Sequence, residues 1–354
     1  MPKVVKIILI AAGVLLVLLA AVILFFIQFT HGRKEMDLES MKNDGPVWDQ
    51  YVQAIDNCRE WMAERETEEV TVTSFDGLKL YGTYIPAENP KACVILMHGY
   101  RSTGLYDFSG VIPYYGENGY SMIVVDQRAC GRSEGKYISF GINERMDALT
   151  WATYADKRFE GKTPIVMHGL SLGGATVMMS ADLPYPESVR GLISDCGFTN
   201  PYDIIAKCGQ DWFHIPPFPM VDLLSLSVKT FLGFGYRDCS SVDALKASDL
   251  PIFLIHGEAD DFVPAYMTEE NYAAAKNCKG KLIVPEAGHA LSYITATEAY
   301  QEAITAYLND ILSYACRIQY HITKAFTASL EVNERLCLFR IPNSVQYKTT
   351  KAKR

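Results

Sequence analysis

The sequence lacks the patterns that mark several classes of protein. It has no glycine period, no heptad series and no repeat of about 20–50 residues, which excludes collagen-like fibres, coiled coils and solenoids. None of its nine cysteines forms a Cys-x-x-Cys pair or combines with histidine at metal-ligand spacing, so the sequence predicts neither a disulfide framework nor a structural zinc site. The 33 basic and 41 acidic residues give a formal net charge of -8, which argues against a nucleic-acid partner.

Apolar side chains, by contrast, are abundant. They make up 49% of the 354 residues, against 21% that are charged, so the chain can bury a large core and is predicted to fold. Residues 7–27 form a run of 21 without a polar side chain. As a helix this run would extend about 31 Å, close to the roughly 30 Å of bilayer hydrocarbon. We therefore predict that residues 1–30 are a single-pass transmembrane anchor.

A cleaved secretory signal is the alternative for this N-terminal run. The apolar region of such a signal is shorter, about 7–15 residues, and precedes a small-x-small cleavage site, whereas this run ends in Phe-Phe-Ile at 25–27. Lys3, Lys6 and the terminal amine before the run slightly outweigh Arg33 and Lys34 after it, which favours an N-terminus inside the cell. The sequence thus predicts a cell-membrane protein whose remaining chain lies outside the cytoplasm, although nine cysteines are unusual in an oxidising compartment.

Two further segments flank the predicted globular domain. Residues 31–66 begin as a charged juxtamembrane linker and continue with apolar side chains at spacings of three and four, which predicts an amphipathic helix. These side chains are Trp48, Tyr51, Val52, Ile55, Cys58 and Met62. We expect this helix to pack on the following domain, with lipid as the alternative. Residues 317–354 contain eight Lys or Arg and two Glu, which predicts a solvated basic tail, with contact to anionic lipid as the alternative.

Residues 67–316 alternate short β-type runs with helical stretches. This alternation predicts an α/β domain with a mainly parallel sheet of about eight strands flanked by helices. The predicted strands are 71–74, 78–84, 92–97, 121–125, 164–168, 191–195, 251–256 and 281–285, and the predicted helices are 143–158, 172–182, 267–277 and 292–314. The alternation lapses over 197–250, where aromatic residues and prolines predict a small helical insertion over the sheet.

The sharpest chemical motif is Gly-Leu-Ser-Leu-Gly-Gly at 169–174. It directly follows a predicted strand and opens a predicted helix. In such an elbow the central residue has a strained backbone that lifts its hydroxyl clear of the sheet, and Gly169 and Gly173 avoid collisions across the turn. We predict that Ser171 is a nucleophile; the alternative is a serine that only caps the helix.

A serine nucleophile needs a base that a carboxylate orients, and in this elbow arrangement the acid and then the histidine follow the serine along the chain. His289 follows the last predicted strand and is the predicted base. The segment after the preceding strand offers three acids, of which Asp260 and Asp261 compete and Glu258 is less favoured. All these positions follow strands that end at the same sheet edge as Ser171.

The negative charge that develops on a substrate oxygen needs two hydrogen-bond donors. We predict the backbone N–H groups of Leu172, directly after the nucleophile, and of Tyr100, in the loop after the third strand. The Tyr100 ring could instead line the pocket. Three other histidines, His98, His168 and His256, lie at strand ends and are predicted to make structural hydrogen bonds.

These motifs resemble those of the α/β-hydrolase fold superfamily, in its membrane-anchored bacterial branch close to serine-aminopeptidase-like hydrolases. The resemblance covers roughly residues 67–314. The segments that carry it are His-Gly-Tyr at 98–100, Asp126–Gly135, the Ser171 elbow, His-Gly-Glu-Ala-Asp-Asp-Phe-Val-Pro at 256–264 and Gly288-His289. It implies that Asp260 rather than Asp261 is the acid, and that the insertion at 197–250 is a cap that shapes substrate choice. Ala129 departs from the family pattern, which has glycine there, in a segment that supports the site without reacting.

The sequence therefore predicts a serine hydrolase that cleaves a small-molecule carboxylic ester or thioester through an acyl-enzyme, with no cofactor and no metal. A serine peptidase of the aminopeptidase type, which cleaves amides, is the main alternative. A third hypothesis is a binding protein that kept the fold without the activity, and the presence of all three triad residues in the expected order disfavours it. Beyond the acyl substrate, the predicted partner is the membrane, through residues 7–27.

Overall fold

The structure is a computed structural model that describes residues 2–34 and 46–313. Eight strands form one sheet: β1 (Glu68–Thr73), β2 (Lys79–Ile85), β3 (Cys93–Met97), β4 (Ser121–Val125), β5 (Ile165–Leu170), β6 (Val189–Asp195), β7 (Ile252–Gly257) and β8 (Cys278–Val284). The helices are α1 (Lys3–His31), α2 (Pro46–Ala63), α3 (Gly104–Asp107), α4 (Val111–Glu117), α5 (Glu144–Arg158), α6 (Leu172–Met179), α7 (Pro201–Phe213), α8 (Pro217–Leu232), α9 (Ser241–Ala247), α10 (Tyr266–Ala274) and α11 (Ser292–Thr295).

The chain divides into two compact units. The main unit ends at Leu308, and its last helical stretch covers residues 297–308. The second unit is residues 309–354, of which residues 309–313 are described and helical. The predicted basic tail at 317–354 lies outside the described residues.

The sheet is mixed, with parallel pairing over most of its width and two antiparallel pairings at one edge. The strand order is β1-β2-β4-β3-β5-β6-β7-β8. Strand β2 runs antiparallel to β1 and β4, and all pairs from β4 to β8 are parallel. Every residue of β3, β4, β5 and β7 is buried, as expected of strands covered by helices on both faces. The predicted eight-stranded, mainly parallel α/β domain is confirmed.

The strand order changes direction at β3, and this change creates room for a site. From β3 the chain passes first to β4 on one side and later to β5 on the other, so the loops at the carboxyl ends of β3 and β5 diverge and leave a crevice. The loop after β3 contains Tyr100, and the turn after β5 contains Ser171. A Cβ on Gly99 would lie 3.3 Å from the Cβ of Ser171, so the two segments are in close contact.

The predicted elements differ from the observed ones mainly at their ends. The β1–β2 hairpin turns at Asp76 and Gly77, where a φ of +90° favours glycine. The helix predicted at 292–314 is interrupted at Ala296, which leaves the helical region with φ -140° and ψ 57°. Helices α3 and α4 are absent from the prediction, because glycines and a proline interrupt the apolar pattern between β3 and β4.

Helices α7 and α8 form the helical cap that the insertion between β6 and β7 predicts. Asn200 accepts a hydrogen bond from the Asp203 N–H at the start of α7, and Gly233, with φ +85°, ends α8. The apolar sides of the two helices pack together with Phe198 and Phe234. The third helix of the insertion, α9, packs against α6 instead, so the cap consists of α7 and α8.

The two N-terminal helices both contact the domain. Helix α1 is continuous over 29 residues, and of the helices described it alone is long and apolar enough to cross a membrane. Most of its side chains are exposed, but Ile27 and His31 near its end are buried. Helix α2 buries Tyr51, Ile55 and Cys58 and packs on α3, α4 and α11, so its apolar side faces the domain.

Candidate active site

Ser171 stands at the tip of a sharp turn between β5 and α6. Its φ of 55° and ψ of -114° are the strained values that a strand–turn–helix elbow imposes on its central residue. A Cβ on Gly169 would lie 2.1 Å from the Gly173 carbonyl oxygen, so the predicted collision across the turn is confirmed there. A Cβ on Gly173 would lie 1.8 Å from the Met97 carbonyl oxygen. At this second glycine the collision is with the end of β3, so the elbow is also packed tightly against the neighbouring strand.

Three loops bring Ser171, His289 and Asp260 into one hydrogen-bonded chain. His289, in the loop after β8, has its Nε2 2.8 Å from the Ser171 Oγ and its Nδ1 2.7 Å from the Asp260 Oδ2. When Nδ1 donates to Asp260, Nε2 can accept the serine proton. The Asp260 side chain is fully buried and that of His289 is 22% exposed, whereas Asp261 is exposed. Of the two competing acids, Asp260 is therefore the one in contact with the histidine.

The surroundings of Asp260 keep its carboxylate charged. Burial raises the pKa of this carboxyl, but hydrogen bonds from His256 and His289 outweigh burial and lower the pKa to about 2. Its Oδ1 also accepts the backbone N–H groups of Phe262 at 3.0 Å and Val263 at 2.8 Å. A carboxylate held in this way fixes the tautomer of His289 and stabilises the imidazolium that forms when the ring takes a proton.

The loop after β3 carries Tyr100, the second predicted oxyanion donor beside Leu172, and a buried carboxylate holds this loop in place. The two oxygens of Asp107 accept the Gly99 N–H and the Ser102 hydroxyl, both at 2.5 Å. Sequence analysis missed Asp107, because an isolated acid in a loop carries no signal of burial. The predicted structural role of His98 agrees with its contacts, since its ring bonds the Gly99 carbonyl at 2.7 Å and the Gln127 N–H at 2.9 Å.

The Tyr100 side chain joins the loop after β3 to α1. Its ring stacks on Phe140 with 5.3 Å between centroids, and its hydroxyl donates to the Thr30 carbonyl at 2.6 Å. The ring also lines the cavity beside Ser171. The Tyr100 N–H can therefore serve as the predicted oxyanion donor while its ring lines the cavity, which was the alternative role predicted from the sequence.

A buried polar cluster supports the elbow from beneath. The Asp195 carbonyl, at the end of β6, accepts the Ser171 N–H at 2.8 Å, and its carboxylate accepts the Tyr300 hydroxyl at 3.0 Å. Burial raises the pKa of Asp195 to about 6. The Tyr300 and Tyr115 hydroxyls also reach His168, at 3.3 and 3.0 Å, in line with the structural role predicted for that histidine. The carboxylate of Asp195 was missed, since sequence shows only an acid that ends an apolar strand.

The segment at 126–135 has a left-handed backbone at Ala129, the position that departs from the family pattern. That residue has φ 58°, the left-handed region in which glycine is favoured. Gly131 has φ 50°, and a Cβ there would lie 2.6 Å from the Asp126 Cγ. Arg128 forms a buried ion pair with Asp147 at 2.6 Å. The segment is therefore a rigid support, and alanine adopts a conformation in which glycine is favoured.

A cavity of about 350 Å³ opens beside Ser171. Its walls come from α1, from the cap and from the loops around the elbow. The contributing side chains of α1 are Leu19, Val22, Ile23, Phe26, Phe29 and Thr30, and those of the cap include Ile204, Ile205, Cys208, Trp212, Phe213, Met220, Val221, Leu223 and Leu224. Sequence analysis missed the part played by α1, because its uniform hydrophobicity predicts a membrane span and carries no signal of tertiary contact.

The thiol of Cys196 lies close to the triad, and the three groups together could be mistaken for a metal site. Its Sγ and the nearest ligand atoms of Asp260 and His289 all lie within 4.8 Å of one another. Burial raises the pKa of this thiol well above its ordinary value, so in the metal-free protein the thiol is protonated. Asp260 and His289 already bond to each other, which favours a triad over metal ligation.

Comparisons with known proteins identify the fold. Residues 88–215, which include the loop after β3 and the Ser171 elbow, match the family model described as serine aminopeptidase, S33. The solved structure of the Pyrococcus furiosus esterase Pf2001 has a TM-score of 0.60 at 20% identity and covers 80% of this chain and 98% of its own. That of the α/β hydrolase GrgF from Penicillium has a TM-score of 0.52 at 17% identity and covers 70% of this chain and 99% of its own. The chain has the α/β-hydrolase fold.

The similarity also extends to a protein of comparable length. The uncharacterized protein YqkD of Bacillus subtilis is 23% identical over 313 residues, which are 86% of this chain and 98% of YqkD. In the α/β-hydrolase fold the nucleophile follows the fifth strand of the sheet on an elbow, with the oxyanion donors on the elbow and on the loop after β3. In this chain Ser171 and Leu172 lie on the elbow after β5 and Tyr100 lies in the loop after β3, and their roles as nucleophile and oxyanion donors remain predictions.

Proposed function

We propose that this α/β-hydrolase-fold protein is a serine hydrolase that cleaves a carboxylic ester or thioester through an acyl-enzyme. The observation that carries the proposal is the chain of hydrogen bonds from Ser171 through His289 to Asp260, at 2.8 and 2.7 Å. An apolar cavity at its serine end gives an acyl group a place to bind. The resemblance to an esterase structure supports the fold assignment but does not indicate which substrate is cleaved.

The geometry suits two successive acyl transfers. The Ser171 Oγ attacks the ester carbonyl carbon while His289 Nε2 takes the hydroxyl proton, and the N–H groups of Leu172 and Tyr100 stabilise the charge on the carbonyl oxygen. His289 then gives its proton to the departing alkoxide, and the alcohol leaves. A water that His289 deprotonates attacks the acyl-enzyme and releases the acid, which restores the Ser171 hydroxyl. Asp260 orients the ring throughout and stabilises it while it is charged.

The composition of the cavity favours esters over the amides of the aminopeptidase alternative. A peptidase that recognises a free amino terminus needs an acidic group to pair with the ammonium. The described residues that line the cavity include no Asp or Glu, and the charged side chains among them are the basic Lys34 and Arg101. A basic and apolar lining repels an ammonium group and accepts an uncharged acyl chain.

We also propose that α1 is a retained membrane anchor, with the domain outside the cytoplasm. Contacts at the end of α1 support retention. Within the apolar run, Ile27 is buried and the Phe26 ring contacts the Phe213 ring edge to face, with 5.7 Å between centroids. Cleavage after the apolar run would remove part of this packing. The intact mass of protein extracted from membranes is expected to include residues 1–30, and a shortened chain would contradict the retained anchor. Protease added outside intact cells is expected to digest the domain, and a protected domain would contradict its location outside the cytoplasm.

The enzymatic proposal is tested by covalent labelling and by a substrate panel. A fluorophosphonate is expected to label the folded protein and the Ser188→Ala variant, whose serine lies away from the site and bonds Asp156, but not the Ser171→Ala variant. Removal of the nucleophile is expected to lower kcat by about a millionfold. p-Nitrophenyl esters are expected to be hydrolysed faster than aminoacyl anilides. Labelling that persists in Ser171→Ala, or is absent throughout, supports the binding-protein hypothesis instead.

A further inference from the structure

The position of the cavity relative to α1 is unusual for a protein with a simple membrane tether. Leu19, Val22, Ile23 and Phe26 lie inside the uninterrupted apolar run of α1 and also line the cavity beside Ser171. From Leu19 to Thr30 the helix rises about 16 Å. If the run crosses the bilayer, this wall of the cavity therefore lies at the depth of the lipid chains.

The rim of the cavity is mostly apolar. Leu19, Val22 and Phe29 of α1 and Met220 and Leu223 of α8 line the cavity and are each 38–45% exposed, so they are side chains at an opening between α1 and α8. Exposed Trp212 and Phe213 of α7 and one exposed charged residue, Lys34, also line the cavity. An exposed apolar rim of this kind is costly in water and marks a surface that contacts lipid or a partner.

The cap sits at the same depth as the second half of α1. The Phe213 ring, at the end of α7, contacts the Phe26 and Phe29 rings edge to face, with 5.7 Å between centroids in each pair. These contacts fix the cap beside residues that belong to the span or directly follow it. The exposed surface of the cap must then meet the lipid chains or the interface.

The exposed face of α8 is mainly apolar, although it includes Lys229, which is 59% exposed and is held in an ion pair. Leu226 and Phe231 are 63% and 66% exposed. The two hydroxyl residues between them satisfy their donors inside the helix, since Ser227 Oγ donates to the Leu223 carbonyl at 2.7 Å and Thr230 Oγ1 donates to the Leu226 carbonyl at 2.8 Å. Hydroxyl groups that bond back to the helix need no solvent, as in helices within lipid.

We infer that the cavity opens sideways into the membrane between α1 and α8, and that the substrate is a long-chain acyl ester drawn from the bilayer. The inference rests on the proposed ester hydrolysis and on α1 as a span. The acyl chain lies along Phe26 and Ile23 with its ester carbonyl at Ser171, and the products are a fatty acid and the alcohol. Continuity between the apolar rim, the exposed cap and the span favours lipid over a second copy of the chain or a soluble ligand.

Chain-length selectivity tests the wall of the cavity. Ile23 lines the cavity and Leu24, the next residue, does not and is 56% exposed, so the two positions form a matched pair. In full-length protein, Ile23→Trp is expected to lower the ratio of p-nitrophenyl laurate to p-nitrophenyl butyrate hydrolysis by about tenfold or more, because the larger ring fills the space of the distal acyl carbons. Leu24→Trp is expected to keep the wild-type ratio. An unchanged ratio in Ile23→Trp, or equal changes in both variants, overturns the assignment.

Dilution of lipid vesicles tests whether the substrate reaches the enzyme through the bilayer. Full-length protein is reconstituted in phosphatidylcholine vesicles that also contain a long-chain fluorogenic glycerol ester, and the vesicles are diluted with buffer. A substrate that arrives through the bilayer gives a rate per enzyme that depends on its mole fraction in the membrane and stays constant on dilution. A rate that falls in proportion to dilution, as expected for soluble p-nitrophenyl butyrate, overturns the membrane route.

The short ester separates this inference from the proposed function. Butyrate hydrolysis that depends on Ser171, together with an unchanged chain-length ratio or a rate that falls on dilution, overturns the membrane route and leaves the serine hydrolase intact. Absence of hydrolysis of every ester, with no fluorophosphonate labelling, overturns both.

Discussion

The elbow and the substrate cavity are built in different ways. Around Ser171, residues 169–174 adopt their conformation for local reasons: a strand, a strained serine and two glycines that cannot carry a side chain. The cavity joins α1 to a cap about 200 residues further along the chain, through contacts that no local pattern encodes. The difference teaches that a reaction class can be inferred from short motifs, whereas the substrate depends on packing between segments that are distant in sequence.

Among variants that keep Ser171, the largest effect is expected at the acid that contacts His289. Asp260→Asn is expected to lower kcat by about ten-thousandfold, because an amide favours the wrong tautomer of His289 and leaves its imidazolium unpaired. Its neighbour Asp261 is exposed, and Asp261→Asn is expected to retain kcat within about twofold. Steady-state hydrolysis of p-nitrophenyl butyrate measures both. Equal losses in the two variants would mean that the hydrogen bond from His289 to Asp260 has no catalytic role.

A second test addresses the rigidity of the elbow. In Gly173→Ala the new methyl group would lie 1.8 Å from the Met97 carbonyl oxygen, and neither backbone can yield, so we expect a loss of about 4 kcal/mol or more and little folded protein. The matched substitution in the cap is Gly209→Ala, where a Cβ meets nothing within 4 Å. It is expected to raise the free energy of unfolding by about 1 kcal/mol, because alanine favours the helix. Thermal unfolding in detergent measures both, and a Gly173→Ala variant with wild-type Tm would show that the elbow is not packed as described.

The same division explains how much of the protein can be predicted from its sequence. The eight strands, the elbow and the grouping of Ser171, His289 and Asp260 follow from apolar runs, turn residues and chain order, which are local signals. Asp107 and Asp195 escape prediction because their burial depends on the folded surroundings. The prediction that Asp260 rather than Asp261 is the acid depends on the family pattern, because chain order alone leaves the two residues equivalent.

The cavity could not be predicted for a related reason. Every residue of an apolar span has the same hydrophobic character, so its sequence cannot indicate that Ile23 faces a cap while Leu24 does not. Tertiary contacts, such as those of Phe213 with Phe26 and Phe29, reveal which side of α1 lines the cavity. Helix α1 has the composition of a simple membrane tether, but in the structure it forms part of the cavity wall.

The buried His168 beneath the elbow is expected to make the stability of the protein depend on pH, whereas His214 in the cap is not. Burial lowers the pKa of His168 from 6.5 to about 3. Between these values the unfolded chain binds a proton that the folded chain does not, so the free energy of unfolding falls as the pH falls. From pH 7 to pH 5 this site is expected to contribute a loss of about 2 kcal/mol.

Variants isolate this contribution. His168→Asn is expected to show a smaller drop in Tm between pH 7 and pH 5 than the wild type, even if it is less stable at both. His214 is exposed at the end of α7, and His214→Asn is expected to keep the wild-type pH dependence. Identical pH dependence in all three proteins would contradict the assignment of acid sensitivity to the buried cluster beneath the elbow.

The smallest expected effect tests whether the end of α1 is part of the folded domain. The Arg101 guanidinium donates to the Phe29 carbonyl at 2.7 Å and to the Gly32 carbonyl at 2.8 Å, which joins the loop after β3 to the last turn of α1. Loss of these hydrogen bonds in Arg101→Ala is expected to cost about 1 kcal/mol and to lower Tm by about 2 °C. The control is Arg59→Ala, whose exposed ion pair with Asp56 at 3.0 Å contributes at most about 0.5 kcal/mol. If both variants unfold at the wild-type temperature, the contacts of Arg101 do not stabilise the domain, and α1 is joined to it by its other contacts, such as the hydrogen bond from the Tyr100 hydroxyl to the Thr30 carbonyl.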